Sequence, residues 1–278
     1  MRIPKFYVKV GNAPAGSDQA GKKCWWVSDN PVAGFSLHPG FMDAGVEIDQ
    51  FYVGKYEGTN DGGTKVGSIA GVAPLVSIDF PTMQSRCSAR NTGGVEGFHL
   101  WTIHELSAIQ MLCLIENGGP DVQNTIGAGN TSSSAAVSTG TTNAVWRGIS
   151  ELWGNVWGMV DGLKTNTSNK VQIFNQNGNG TWVNTGSVIP ATGYPVSMKE
   201  LNNADCNLKL LFVADSVDSS AGNATYADYF YSNTAGSEFV CYHGGKWGNG
   251  AYAGLFLLLL CHVASSSSTD IGGRLAKC

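Results

Sequence analysis

Two cysteine–histidine pairs are the residues of this chain best suited by type to covalent chemistry. Cys241 stands two positions before His243 and Cys261 adjoins His262, and a thiol close to an imidazole has the makings of a nucleophile and its base. Adjacent residues of a strand point to opposite faces, so the 261–262 pair cannot easily meet. His99 and His104 lie five apart across a helix entrance, match no HExxH spacing and read as structural. A calcium ion needs several hard oxygen ligands, yet Asp270 is the lone carboxylate after Glu238. No glycine-rich loop follows a strand and opens a helix, which leaves nucleotide binding without support. These residues imply no metal, no cofactor and no catalytic centre.

The elements that must position such side chains are turn-rich and weakly charged. The 278 residues hold 17 Lys plus Arg and 21 Asp plus Glu, a net charge of −4, so 14% of positions are charged, against about 25% in a typical globular chain. That balance offers no basic footprint for nucleic acid or an anionic membrane. A hydrophobic share of 42% excludes general disorder. The longest apolar run, 253–261, is far below the roughly 20 residues that span a bilayer. Residues 1–11 alternate apolar and basic side chains and lack the continuous apolar stretch of a secretory signal. Seven cysteines at irregular spacing, with no CxxC pair, suggest neither a zinc site nor a disulfide framework. They fit thiols made in a reducing compartment.

Runs 6–10, 46–53 and 208–212 have strand-like content, separated by Gly, Asn, Asp and Ser clusters. Thr102 and Glu105 fit a capping box, in which each side chain satisfies an orphaned backbone N–H. Leu106, Ile109 and Cys113 then recur at helical spacing before the stop Asn117-Gly118-Gly119. The spacing predicts a buried helix from 102 to about 116. From 122 to 146 no residue is charged, and burial cannot offset the entropy of ordering such a polar stretch. Residues 124–143 therefore read as a flexible loop insertion. Residues 166–186 are also polar but carry Val171, Ile173, Phe174 and Trp182, which suits a twisted hairpin. No repeat or linker divides the chain, so the expectation is a single α+β domain over 1–278, with 1–30 as an N-terminal strand or arm.

Two stretches stand apart: WRGISELWGNVWGMVDGL at 146–163 and GGKWGNGAYAGLFLLLLCHVASSSSTDIGGRLAK at 244–277. Trp153 and Trp157 flank a Gly-Asn turn, and aromatics so placed usually pin loops onto a core. Gly244-Gly245 permits a bend before Trp247. Arg274 is expected to tie the C-terminal strand to a carboxylate or to backbone carbonyls. The Gly154-Asn155-Val156-Trp157 core and the order GG-x-W … IG-x-R resemble the C-type-lectin-like fold, in the branch shared by formylglycine-generating enzymes and the variable proteins of diversity-generating retroelements. The stretch from His38-Pro39-Gly40-Phe41 to Glu57 looks like the opening strands of phage-tail members of that group. This resemblance covers most of the chain after about residue 31.

The resemblance implies a C-type-lectin-like scaffold whose residues 240–278 form a variable region, diversified through errors at adenines in a template repeat. Formylglycine chemistry is not expected, because the two active-site cysteines of those enzymes fall near Asn249 and Gly254. Of the motifs with which lectins hold calcium, only the fragment Trp247-Gly248-Asn249 is present. Tyr242, His243, Lys246, Gly248, Tyr252, Leu257, Leu259, Cys261, His262, Ser266, Ser268 and Asp270 follow no single chemical logic and are read as the ligand-binding surface. Strand parity points Leu257 and Leu259 outward if Phe256, Leu258 and Leu260 face the core. With Tyr252 they would make an apolar anchor patch; a strand buried on both faces is the alternative. The implied function is a non-enzymatic receptor-type binding protein on a virion tail or cell surface. Its partner would be a host or target-cell surface protein or glycan, with no nucleic acid and no membrane insertion, and homo-oligomerisation is left open. The competing readings are a formylglycine-generating-enzyme-like oxidoreductase and a calcium-independent carbohydrate-binding module that stacks sugars on Trp247 and Tyr252.

Overall fold

The computed structural model describes residues 1–175, 180–203 and 206–278. Strand Gln50–Val53 lies between Arg2–Pro4 and Leu275–Lys277, and Phe98–Leu100 completes this antiparallel four-stranded sheet. Of the strand or arm expected over 1–30, the structure has strands. Ile3, Phe6 and Val8 are buried, and Tyr7–Asn12 pairs with both Lys23–Ser28 and Ser36–Leu37.

Among the described residues the largest sheet has seven strands. Its order is Trp182–Val188, Lys170–Phe174, Trp157–Thr165, Val240–His243, Leu258–His262 and Phe230–Ser232, with Ile271–Gly273 running parallel beside Trp157–Thr165. The hairpin expected over 166–186 is the pair Lys170–Phe174 and Trp182–Val188; residues 176–179 of its connection lie outside the described residues. Alternate members Val171 and Ile173 are buried, as a half-buried strand requires.

Helix α1 spans Phe80–Ser88, α2 Ile103–Asn117 and α3 Val122–Thr125. Helix α2 starts at the capping box: the Thr102 hydroxyl accepts from Glu105 N, and the Glu105 carboxylate accepts from Thr102 N at 2.7 Å. Gly118, at φ 71°, ends it in the left-handed conformation that glycine adopts without penalty. Every residue from 103 to 111 is buried, so the first part of this helix is covered on all sides, while Ile115 and Glu116 near its end are exposed. Its mid-helix Gln110 donates Nε2–H to Leu255 O at 2.7 Å, while its buried Oε1 meets no donor.

Three sequence expectations need correction. The run 46–53 is two strands, Val46–Glu47 and Gln50–Val53. The run 208–212 is no strand: Leu208–Leu210 is a single 3-10 turn and Phe212 has φ 50°. Its apolar residues fill the core, and short apolar runs alone do not distinguish a strand from a buried turn. The stretch 124–143 is irregular past α3 but docked. Asn130 Nδ2 and Val137 N donate to Asn155 Oδ1 at 3.0 and 2.8 Å, and Gly140 N donates to Glu151 Oε1 at 2.8 Å. Hydrogen bonds to buried partners, which composition does not reveal, offset the ordering entropy that apolar burial could not.

Arg274 sits at the centre of this polar packing, 2% exposed. Its guanidinium donates to Gly54 O at 2.8 Å, Ser150 O at 2.6 Å and Glu151 O at 2.8 Å, and its Cζ lies 5.4 Å from the Trp101 ring centre. The tie expected from the sequence is therefore made to carbonyls. Nearby, Glu57 accepts from Asn155 Nδ2 at 2.6 Å and from Val156 N at 3.3 Å. Burial raises its carboxyl to about 8, against the opposing pull of Asn155 and Arg274. Replacing Arg274 by Met strands three carbonyls, and at about 1–3 kcal/mol for each buried polar group left unsatisfied it should cost at least about 3 kcal/mol in urea denaturation. Lys should recover only part of this, because an ammonium lacks the planar fork. A loss below about 1 kcal/mol, the range of an exposed pair, would show that this contact does not hold the fold.

Candidate functional site

The C-terminal segment enters the large sheet at Val240–His243, turns through Gly244–Ala253, returns along Leu258–His262 and leaves by an exposed serine-rich loop. Four of its twelve predicted surface residues are interior. Tyr242 and Leu257 are 0% exposed, His243 2% and Leu259 4%. The outward orientation inferred for Leu257 and Leu259 is therefore corrected. Strand Leu258–His262 lies inside the sheet, between Val240–His243 and Phe230–Ser232, and both of its faces are covered. Tyr242 is the cross-strand partner of Leu259, and the Phe80 ring meets Tyr242 edge-on at 6.5 Å. His243 is held by Leu255 O at 2.7 Å and packs edge-on against Trp101. Burial lowers its pKa to about 4.

The other eight positions reach solvent in whole or in part. Tyr252, 42% exposed, belongs to a cluster of four tyrosines. Tyr229 is its hub, with ring centroids 4.7 Å from Tyr194, 4.8 Å from Tyr231 and 4.7 Å from Tyr252. Tyr194, Tyr229 and Tyr231 are half-buried. They were not singled out in the sequence because they lie outside the C-terminal segment. The signal was the run YADYFY at 226–231, where buried Phe230 separates the half-buried Tyr229 and Tyr231 with strand alternation.

Lys246, His262, Ser268 and Asp270 meet at a second, polar corner. Lys246 Nζ pairs with Asp270 Oδ2. Burial tends to raise the Asp270 pKa, but hydrogen bonds from Lys246 and Ser268 hold it below the usual carboxylate value. Trp157 joins the two groups: its ring meets Tyr231 edge-on at 5.9 Å, and its backbone N–H donates to Asp270 O at 2.8 Å. Trp153 and Trp157 are 1% and 5% exposed, and Trp153 Nε1 donates to Gly127 O at 2.9 Å. The tryptophans around the Gly-Asn turn do pin the loops.

Glycine spacing separates fixed positions from open ones. A Cβ at Gly248 would meet nothing within 4 Å, whereas at Gly254 it would lie 1.9 Å from Asp228 Oδ1 and at Gly272 2.9 Å from Leu75 O. The cysteine–histidine pairs do not assemble a nucleophile: no hydrogen bond links Cys241 to His243 or Cys261 to His262 among the described residues. Burial pushes the Cys241 thiol far up and the Cys261 thiol up. No disulfide joins two cysteines among the described residues. No described helix is long and apolar enough to cross a membrane.

No family model and no curated protein matches the chain. Among solved structures it is similar to Treponema denticola variable protein 1, at 13% identity and a TM-score of 0.38, over 98% of this chain and 94% of that one. It is also similar to a Major Tropism Determinant P3c variant, at 13% identity and a TM-score of 0.40, over 99% of this chain and 72% of that one. Likenesses this distant carry no functional argument.

The burial pattern makes a direct contrast testable by urea denaturation. Leu257→Ala and Leu259→Ala should each cost about 2–5 kcal/mol, as for other buried leucines. Tyr252→Ser should cost no more than about 1.5 kcal/mol, the size of an aromatic-pair contribution. Equal small losses at all three would restore the outward reading of the strand.

Proposed function

We propose that this chain is a non-enzymatic binding protein: a C-type-lectin-like frame presenting a retroelement-diversified face to a host or target-cell surface protein or glycan. It would act from a virion tail or a cell surface, without a cofactor. The observation that supports this most is the four-tyrosine cluster, joined through Trp157 to the polar corner of Lys246 and Asp270. Tyrosines offer large, rigid, amphipathic contact area at little entropic cost and are enriched among residues that dominate binding. A protein surface suits this face better than a sugar. Lys246 Nζ lies over the Trp247 ring, 4.9 Å from its centre, on a surface where a sugar would stack.

Such a protein must vary its face without unfolding its frame. Exposed substitutions usually change stability by within about 0.5 kcal/mol, while truncating a buried leucine costs about 2–5. The diversified positions should therefore be the eight that reach solvent. Tyr242, His243, Leu257 and Leu259 belong with the frame.

Sequencing the DNA around the gene tests the proposal. A near-copy of the 240–278 coding region should lie close by, beside a reverse transcriptase gene, differing almost only where the template has adenine. The differences should concentrate in the codons for Lys246, Gly248, Tyr252, Cys261, His262, Ser266, Ser268 and Asp270. A missing repeat, or differences spread over all bases and into Trp247, Gly254 and Arg274, would remove the diversification claim.

A further inference from the structure

Away from the tyrosine face, three elements bring metal-ligating side chains together. His99 lies in strand Phe98–Leu100, Cys278 follows strand Leu275–Lys277, and Glu105 lies in the first turn of α2. One ligand atom from each of these residues lies within 4.8 Å of the other two. His99 Nε2 is 3.0 Å from Glu105 Oε1. His99 Nδ1 is 2.7 Å from Gly97 O, which fixes the ring and leaves Nε2 aimed at the carboxylate. That outer hydrogen bond to a carbonyl is the one that orients ligating imidazoles in metal sites.

The backbone is shaped to the same end. Gly97 has φ 88°, and a Cβ there would lie 2.4 Å from Cys278 O, so glycine is what lets the two strands close at this point. Glu105 divides its work: Oε2 caps α2 through Thr102 N at 2.7 Å, while Oε1 faces His99. A ligand role for Oε1 leaves the capping box intact.

We propose that His99 Nε2, Glu105 Oε1 and Cys278 Sγ bind a zinc ion, with water as the fourth ligand. A thiolate, an imidazole and a carboxylate suit zinc, whereas calcium and magnesium demand oxygen throughout. On binding, zinc takes the place of the Nε2 and thiol protons, which leave to solvent. One thiolate and one carboxylate then balance its charge. His99 and Cys278 also line a cavity of about 420 Å³, through which water can reach the fourth position. Asp43 and Asp161 in its wall disfavour an anion there. The site would fasten the end of the C-terminal strand to the start of α2. It does not depend on the binding role proposed above.

Cobalt substitution of the reduced, chelator-stripped full chain tests this. One cobalt per chain should bind with a thiolate-to-metal charge-transfer absorption, and zinc should displace it. Cys278→Ser should abolish that absorption, and His99→Gln should weaken zinc binding by more than the ~10–100-fold that loss of an outer partner costs. Far-ultraviolet circular dichroism establishes that each variant is folded. In the unaltered protein, zinc should selectively slow alkylation of Cys278 among the seven cysteines, which needs no variant. An absorption that persists in Cys278→Ser, no binding by the unaltered chain, or alkylation of Cys278 indifferent to zinc would each overturn the proposal.

Discussion

The structure depends most on one buried cation. Among the described residues Arg274 makes no salt bridge; it is held by three backbone carbonyls from two distant segments, 54 and 150–151, near the buried Glu57 and Glu151. Taking a guanidinium out of water costs several kcal/mol unless its donors are met. Those segments must therefore arrive in fixed positions. Glu151 accepts a left-handed backbone, φ 51°, and the successive carbonyls of Ser150 and Glu151 both reach Nη2. A non-glycine residue held in that region carries about 1–3 kcal/mol of strain, tolerated only where the surroundings demand it. Asn155, at φ 63°, extends the network from Glu57 to the 124–143 stretch, and Trp247 N donates to its carbonyl at 3.0 Å.

That network explains how one short segment can be both fixed and free. The turn after His243 is anchored through Trp247 to Asn155, and the chain beyond Asp270 is anchored by Arg274. Between them the strand Leu258–His262 is locked into the core by its neighbours. What remains open is a rim of side chains on this anchored backbone: Lys246, Gly248 and Tyr252 of the turn, Cys261 and His262 at the end of the strand, and those of the serine-rich loop. Diversity at the rim costs the frame little, and the half-buried tyrosines from the 194 and 229–231 segments give that rim a rigid floor.

Much of the frame was legible in the residues. The Thr102 and Glu105 pair marked the start of α2, and Gly118 its end, because capping chemistry is local. Trp153 and Trp157 could be assigned structural work because large aromatics beside tight turns usually pin loops onto a core, and Arg274, next to the glycine pair 272–273, could be expected to tie the C-terminal strand. The orientation of 255–260 was misread for a physical reason. Residues 255–257 form the turn ahead of strand Leu258–His262, where parity does not apply, and in the strand itself a consecutive apolar run is the mark of cover on both faces. The tyrosine floor was illegible because it requires the parallel pairing of Phe230–Ser232 with Leu258–Leu260, a contact no local pattern announces.

A saturation scan of residues 240–278, with surviving variants selected by protease resistance and then sequenced, tests the division between frame and rim most directly. The account predicts broad tolerance at Lys246, Gly248, Tyr252, Ser266 and Ser268. It predicts near-total intolerance to polar replacement at Tyr242, Leu257 and Leu259, and to any replacement at Gly254 and Arg274. Tolerance at Leu257 and Leu259 equal to that at Tyr252 and Gly248 would contradict it.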